Sequence, residues 1–367
     1  MKGLYIHIPF CIKKCAYCDF VSITNSDYMF EKYIDTLLSE AEEYKGEEID
    51  SIFIGGGTPT ILPPKLITRL LKGIHNIFRI SSNAEISCEG NPGTITDEKI
   101  SALIDGGINR MSVGVQSFND KELKVIGRIH DAKTAYNTVC KIRKRGISNI
   151  NIDIMTALPN QTPKSLNETL KTAVELPINH ISAYSLIIED GTPLEKDYSK
   201  GLITVPDEDE DREMYADTVE FLKKFGFNRY EISNFAKQGY ECRHNLKYWS
   251  CDEYIGLGAA AHSYIGEERF YNSNNIKEYI TDNKREKITL SEADKISEFM
   301  MMGLRKCSGI NINEFKNRFG QSIDEVFGAE LNKFMRLNLM QYHNGSYGLT
   351  DRGIDVSNSV MCDFLLS

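Results

Sequence analysis

The 367-residue sequence contains no apolar run near the roughly 18 residues that a membrane-spanning helix needs. It does not open like a signal peptide either. Met1 leads within three residues into a strand-like apolar stretch, so the cytoplasm is the expected location. Positive charge is not in excess: 43 Lys and Arg face 52 Asp and Glu, a net charge of −9. A general nucleic-acid role through a basic face therefore has no support, and no nucleic-acid partner is expected. There is no long repeat and no low-complexity tract, which excludes a solenoid or a disordered tail. The composition, 41% hydrophobic and 26% charged, suits a packed core, and the length suits one large α/β domain plus a smaller one. Nine cysteines without a secretion signal point to metal or redox chemistry rather than disulfides. Only Cys11, Cys15 and Cys18 are clustered. Cys88, Cys140, Cys242, Cys251, Cys307 and Cys362 are scattered and read mostly as small buried apolar residues.

The first two-thirds of the chain alternates short apolar runs with longer amphipathic segments. Strands are predicted over Leu4–Pro9, Ser51–Ile54, Glu85–Cys88, Arg110–Val115, Asn149–Ile154 and His180–Leu186. Helices are predicted between them, over Asp27–Tyr44, Pro64–Phe78, Asp97–Asp105, Ala132–Arg145 and Pro163–Leu176. Six such units imply a parallel sheet with helices outside, curled toward a closed or partial barrel. The acidic run Asp207–Asp211 reads as the first turn of a helix reaching about Phe225. Gly256–His262 superficially resembles a dinucleotide-binding turn but lacks the full glycine pattern. From about Ser291 short helices, a small hairpin and a last helix suggest a winged-helix-like unit. The expected division is 1–190 for the core barrel, 191–285 for an extension, and 286–367 for the C-terminal helical unit.

Cys11, Cys15 and Cys18 stand in a CxxxCxxC spacing directly after the first strand. Thiolates ligate iron, and three on one loop can hold three corners of a [4Fe–4S] cluster. The fourth iron is then left for an exogenous ligand, an amino and carboxylate chelate. A structural zinc site would want a fourth protein ligand, and His7, inside the strand, is poorly placed to be one. Lys13 and Lys14 either favour thiolate by their charge or serve solubility. Tyr17 could pack beside the cluster or an adenine ring.

Polar residues recur where the later strands end. They are Gly55, Gly56, Gly57 and Thr58; Glu89 and Asn91; Gln116 and Ser117; and Asp153. Singly, each reads as a turn or capping residue. Together they fit the carboxyl-end face on which parallel barrels place their chemistry. Arg128 could pair with a carboxylate in the site or form a surface ion pair.

Together these segments resemble the HemN-like branch of the radical S-adenosylmethionine superfamily, and within it the HemW-type haem chaperones, once described as oxygen-independent coproporphyrinogen III oxidase-like proteins. The likeness runs over nearly the whole chain. Its most specific parts are Tyr5–Cys11, Gly55–Thr60, Gly114–Ser117, Gly127–His130 and Asn151–Asp153. It implies an α/β fold, a radical-SAM (β/α)6 partial TIM-like barrel with a C-terminal, mainly α, winged-helix-like domain. It further implies that Tyr5, Gly56, Gly57, Thr58 and Glu89 surround a cluster-bound S-adenosylmethionine, with Tyr17 near the nucleoside. Gln116, Arg128 and Asp153 match positions that contact a second S-adenosylmethionine in the oxidase, and Ile187 and His262 align more loosely. His244–Trp249 matches the HNxxYW motif associated with haem, which makes His244 a candidate iron ligand beside Tyr248 and Trp249; the alternative is a buried histidine with core aromatics. The implied function is binding haem and passing it to haem-accepting membrane or respiratory proteins, with a flavodoxin or ferredoxin as electron donor. The alternative is an oxygen-independent coproporphyrinogen III dehydrogenase or a related radical enzyme acting on a tetrapyrrole. Two features weigh against the oxidase: Phe20 stands where its pattern has a further cysteine, and its arm before the first strand is expected to be missing.

Overall fold

Along each predicted strand apolar and polar residues alternate, and the structure uses the two faces differently. A computed structural model describes residues 1–282 and 284–366. β1 (Lys2–Ile8), β2 (Glu48–Gly56), β3 (Arg79–Gly90), β4 (Arg110–Gln116), β5 (Asn149–Thr156) and β6 (His180–Ser185) pair in parallel in that order. Ile6, Ile54, Ile86, Val113, Ile152 and Ile181 share one side of this sheet and are buried. The crossover helices cover that side. In Pro64–Ile77, for example, Leu66, Ile67, Leu70, Leu71, Ile74 and Ile77 are all buried at helical spacing. Each such side chain contributes about 1.5–3 kcal/mol of burial. The other parity is largely polar: Tyr5 and His7, Glu85 and Glu89, Ser112, Asn151 and Asp153, Ser182 and Tyr184.

The sheet continues beyond the six units. A hairpin of β7 (Asn228–Glu231) and β8 (Asn234–Ala236) adds antiparallel to β6. On the opposite edge β9 (Tyr254–Leu257) pairs with β1 as a seventh parallel strand. β10 (His262–Ile265), β11 (Glu268–Tyr271) and β12 (Glu286–Thr289) then follow antiparallel. The result is a twelve-stranded sheet with β7 and β12 at its edges, so among the described residues the barrel is partial. The Gly256–His262 stretch is thus a strand and its turn, not a nucleotide loop. Gly256 is needed for close approach, because a Cβ there would lie 2.0 Å from the His262 carbonyl oxygen. The chain passes from the β8 edge to the β9 edge through the helix Arg243–Trp249, under the N-terminal ends of β1 to β3.

The acidic run starts the helix Glu208–Lys224. The Asp207 carboxylate accepts the backbone N–H groups of Asp209 and Glu210 at 3.0 and 2.9 Å. The C-terminal unit packs the helices Glu292–Gly303, Ile312–Phe319 and Ile323–Arg336 around Phe299, Phe315, Phe327 and Phe364. A small antiparallel sheet, β13 (Ile310–Asn311), β14 (Met340–His343) and β15 (Ser346–Leu349), completes this winged-helix-like arrangement. Among the described residues no helix is long and apolar enough to cross a membrane.

Candidate functional site

The loop after β1 has no regular structure, yet its backbone is tied down on both sides. Cys11 N–H donates to Ile23 O at 2.9 Å, Thr58 N–H to Phe10 O at 2.8 Å, and Ala16 N–H to Ile126 O at 3.0 Å. These bonds hold Cys11, Cys15 and Cys18 over the carboxyl ends of the strands. There they line a cavity of about 150 Å3. Tyr17, Gly56, Gly57, Thr58, Glu89, Gln116, Arg128 and Asp153 line the same cavity. The three cysteines and these eight candidates therefore meet in one place, together with Asn91, whereas Gly55 and Ser117 do not line the cavity. Gly57 makes this fit possible: a Cβ there would come within 2.7 Å of Phe10 O.

Inside the cavity charge is managed by burial. The Glu89 carboxyl accepts Gly56 N–H at 3.2 Å. Burial, reinforced by the nearby Asp153, pushes its pKa up to about 8. Burial also raises Asp153, against hydrogen bonds from neighbours including Asn151 Nδ2 at 2.7 Å. Arg128 is partly buried, and among the described residues it has no carboxylate partner. Its guanidinium donates to Cys15 Sγ at 3.2 Å and to Gly114 O, and its Nε is unpaired. Arg128 is thus the cation in direct contact with Cys15. Lys14 pulls Cys11 and Cys18 toward thiolate as expected, but burial outweighs that pull. Burial raises Cys11 and pushes Cys18 up to about 11. The Lys14 ammonium donates to Phe20 O at 2.9 Å. Among the described residues no cluster of His, Cys, Asp and Glu is arranged to hold a single metal ion.

Tyr5, His244, His262 and Ile187 lie elsewhere. Tyr5 points into the barrel, shares a 2.9 Å hydrogen bond with His7 Nδ1, and feels the charge of Glu89. It lines a second, larger cavity of about 670 Å3. His244 lies under the sheet and is buried. Its Nδ1 meets Ser51 Oγ at 3.0 Å, its Nε2 meets Tyr248 OH at 2.9 Å, and its ring stacks on Phe53. Both ring nitrogens are engaged, so in this conformation neither faces an iron. The aromatic half of the same motif does face a cavity: Tyr248 and Trp249 line the larger one. His262 lines it too, away from Gln116, Arg128 and Asp153, while Ile187 is exposed and lines neither cavity.

Sequence reasoning missed a buried polar layer beneath the cavity. Arg110 donates weakly to Ser87 Oγ at 3.5 Å, and the Glu85 carboxylate accepts the N–H groups of Arg243 and His244, each at 3.2 Å. His180 links Asn151 at 2.6 Å to Tyr230 at 2.8 Å. The signal was present in strand parity, since Glu85, Arg110, Asn151 and His180 point the same way as Glu89, Ser112 and Asp153.

Comparison with known proteins agrees with this geometry. The family model described as the radical SAM superfamily matches residues 5–173, and that of the HemN C-terminal domain matches residues 290–356. The chain is 36% identical to the haem chaperone HemW of Lactococcus lactis, over 100% of this chain and 97% of that protein. It is 36% identical to HemW of Bacillus subtilis, over 100% and 99%. Among solved structures it is similar to coproporphyrinogen III oxidase (HemN) from Escherichia coli, described as a radical SAM enzyme. That match has a TM-score of 0.86 and 25% identity, covering 99% of this chain and 89% of that one.

Proposed function

Because the chain belongs to the radical S-adenosylmethionine superfamily, and within it to the HemW family, we propose that it is a haem chaperone that binds haem and passes it to haem-dependent proteins. The observation that carries this reading is likeness to haem chaperones along 100% of the chain. Cys11, Cys15 and Cys18 would hold a [4Fe–4S] cluster. The residues fit that group: three thiols from one loop, a glycine cradle, and a buried guanidinium nitrogen without a partner. When bound, such a cluster supplies one-electron reduction of a sulfonium ligand. The chain's own residues orient and enclose. Gly56, Gly57 and Thr58 offer backbone groups to S-adenosylmethionine, Glu89 offers a carboxyl, and Tyr17 a ring face. Gln116, Arg128 and Asp153 extend the polar wall, where a second S-adenosylmethionine would lie. Tyr5 lies close enough to feel the charge of Glu89. The electron would come from a flavodoxin or ferredoxin, and the acceptors would be respiratory haemoproteins.

A second reading, oxidation of coproporphyrinogen III, draws on the shared fold with the oxidase. Phe20 weighs against it, because a phenyl ring supplies neither thiol nor ligand. Two assays separate the readings. Haemin titrated into anaerobically reconstituted protein is expected to give a stoichiometric Soret band. Coproporphyrinogen III with S-adenosylmethionine and reductant is expected to remain unconverted; protoporphyrinogen formation would reverse the ranking. Replacing Cys11, Cys15 and Cys18 with alanine is expected to abolish cluster loading, and undiminished loading would remove the cluster assignment.

A further inference from the structure

The larger cavity lies between the cysteine loop, the helix Arg243–Trp249, the β9–β11 edge and the C-terminal helix Glu292–Gly303. At about 670 Å3 it falls within the roughly 300–1,000 Å3 range of small-molecule and cofactor pockets. Tyr248, Trp249, Tyr254 and Tyr264 give it flat aromatic walls, and Phe20 and Met302 add apolar surface.

The chain has seven histidines. His7, His130, His180 and His244 each have both ring nitrogens hydrogen-bonded. His75 is tied to Gly106 O on the outer surface, and His343 lies on β14; neither lines this cavity. His262 does line it. Its side chain is exposed and stacks on Tyr271 with ring centroids 4.9 Å apart. Among the described residues its nitrogens have no hydrogen-bond partner.

We propose that haem is seated in this cavity with the His262 imidazole as an iron ligand. The inference rests on the chaperone reading and gives it a site that differs from His244. Imidazole is an ordinary axial ligand for haem iron, and the aromatic walls match the faces of a porphyrin. Partial burial and the charge of Arg269 lower the pKa of His262, which keeps a lone pair available near neutral pH. Arg269 already pairs with Glu298 at 2.6 Å, and Asp19 adds a second acidic group to the lining. The cavity therefore recognises the ring rather than the propionates, which stay in water at the mouth. Such a seat suits a carrier that must release its cargo. Phe20 lines both cavities, so the cysteine loop forms part of the seat.

The test is haemin titration of the full-length protein followed by Soret absorbance, with wild type, His262→Ala, His262→Gly and His343→Ala. Wild type and His343→Ala are expected to bind alike. His262→Ala is expected to shift the Soret band and weaken binding by about tenfold or more. Added imidazole is expected to restore the wild-type spectrum in His262→Gly, which a packing role for His262 would not produce. If wild type binds haem and His262→Ala binds with the same spectrum and affinity, the site is wrong while the chaperone reading stands. Failure of imidazole to restore the His262→Gly spectrum also overturns the ligand assignment. If wild type with a full cluster binds no haem, the chaperone reading falls and takes this site with it.

Discussion

At Glu89 the loss of solvent outweighs the hydrogen bond from Gly56 and the charge of Arg110. Folding therefore takes up a proton there between about pH 4.5, the ordinary value, and about pH 8, and stability falls as pH rises across that window. Glu89→Gln removes the titration. It is expected to flatten the decline in urea midpoint between about pH 5 and about pH 8 in ligand-free protein. An unchanged slope would show that Glu89 stays ionised when folded. His244 carries the opposite sign. Burial, with Lys247 and Arg110 adding to it, pushes its pKa down to about 3 from 6.5, so its contribution is lost as pH falls from 6.5 toward 3. His244→Gln is expected to be less stable at neutral pH but to lose less on acidification. An acid limb identical to wild type would assign the loss to other groups, His180 first, which burial also lowers.

The six long strands and their helices were legible because two periodicities agree on them: alternation along each strand and 3.6-residue spacing along each helix. The edge strands were not. β7 to β12 run for only three or four residues, and the exposed Glu286–Thr289 strand has no buried face to impose alternation. The cluster-side site was legible because most of its polar residues lie at or near the end of a readable strand. The polar layer beneath was harder to read: strand parity marks its residues, but their partners come from distant segments. The seat around His262 was hidden for the same reason, being built from edge strands and a C-terminal helix. Gly256 shows how tightly this edge is packed. Gly256→Val places a Cβ about 2.0 Å from the His262 carbonyl, and is expected to cost about 1–3 kcal/mol in urea unfolding. By contrast, Gly328→Ala, in a helix with nothing within 4 Å, is expected to be neutral or stabilising by up to about 1 kcal/mol. Equal effects at the two glycines would mean the β9–β10 contact is looser than described.

Two cavities divide the work across the whole molecule. The cysteine cavity is walled by the carboxyl ends of β2 to β6 and needs nothing from the C-terminal unit. The aromatic cavity takes Glu298 and Met302 from that unit, so it exists only while the unit stays docked. Directed contacts join apolar packing in holding the unit there. The Arg318 guanidinium donates to Ser250 O at 2.8 Å and to Cys251 O, and Arg305 lies over the Trp249 ring at 4.4 Å. Both contacts grip the segment that carries Tyr248 and Trp249. Arg318→Ala removes two hydrogen bonds from a charged donor, a loss on the order of 1–3 kcal/mol. The expected outcome is asymmetric: cluster loading per chain stays at the wild-type level, while haem affinity falls severalfold and proteolysis near residue 250 speeds up. Loss of cluster and haem together would mean the two cavities share one cooperative unit. Retention of both would mean the C-terminal unit is held by its apolar contacts alone, and that the aromatic cavity does not depend on Arg318.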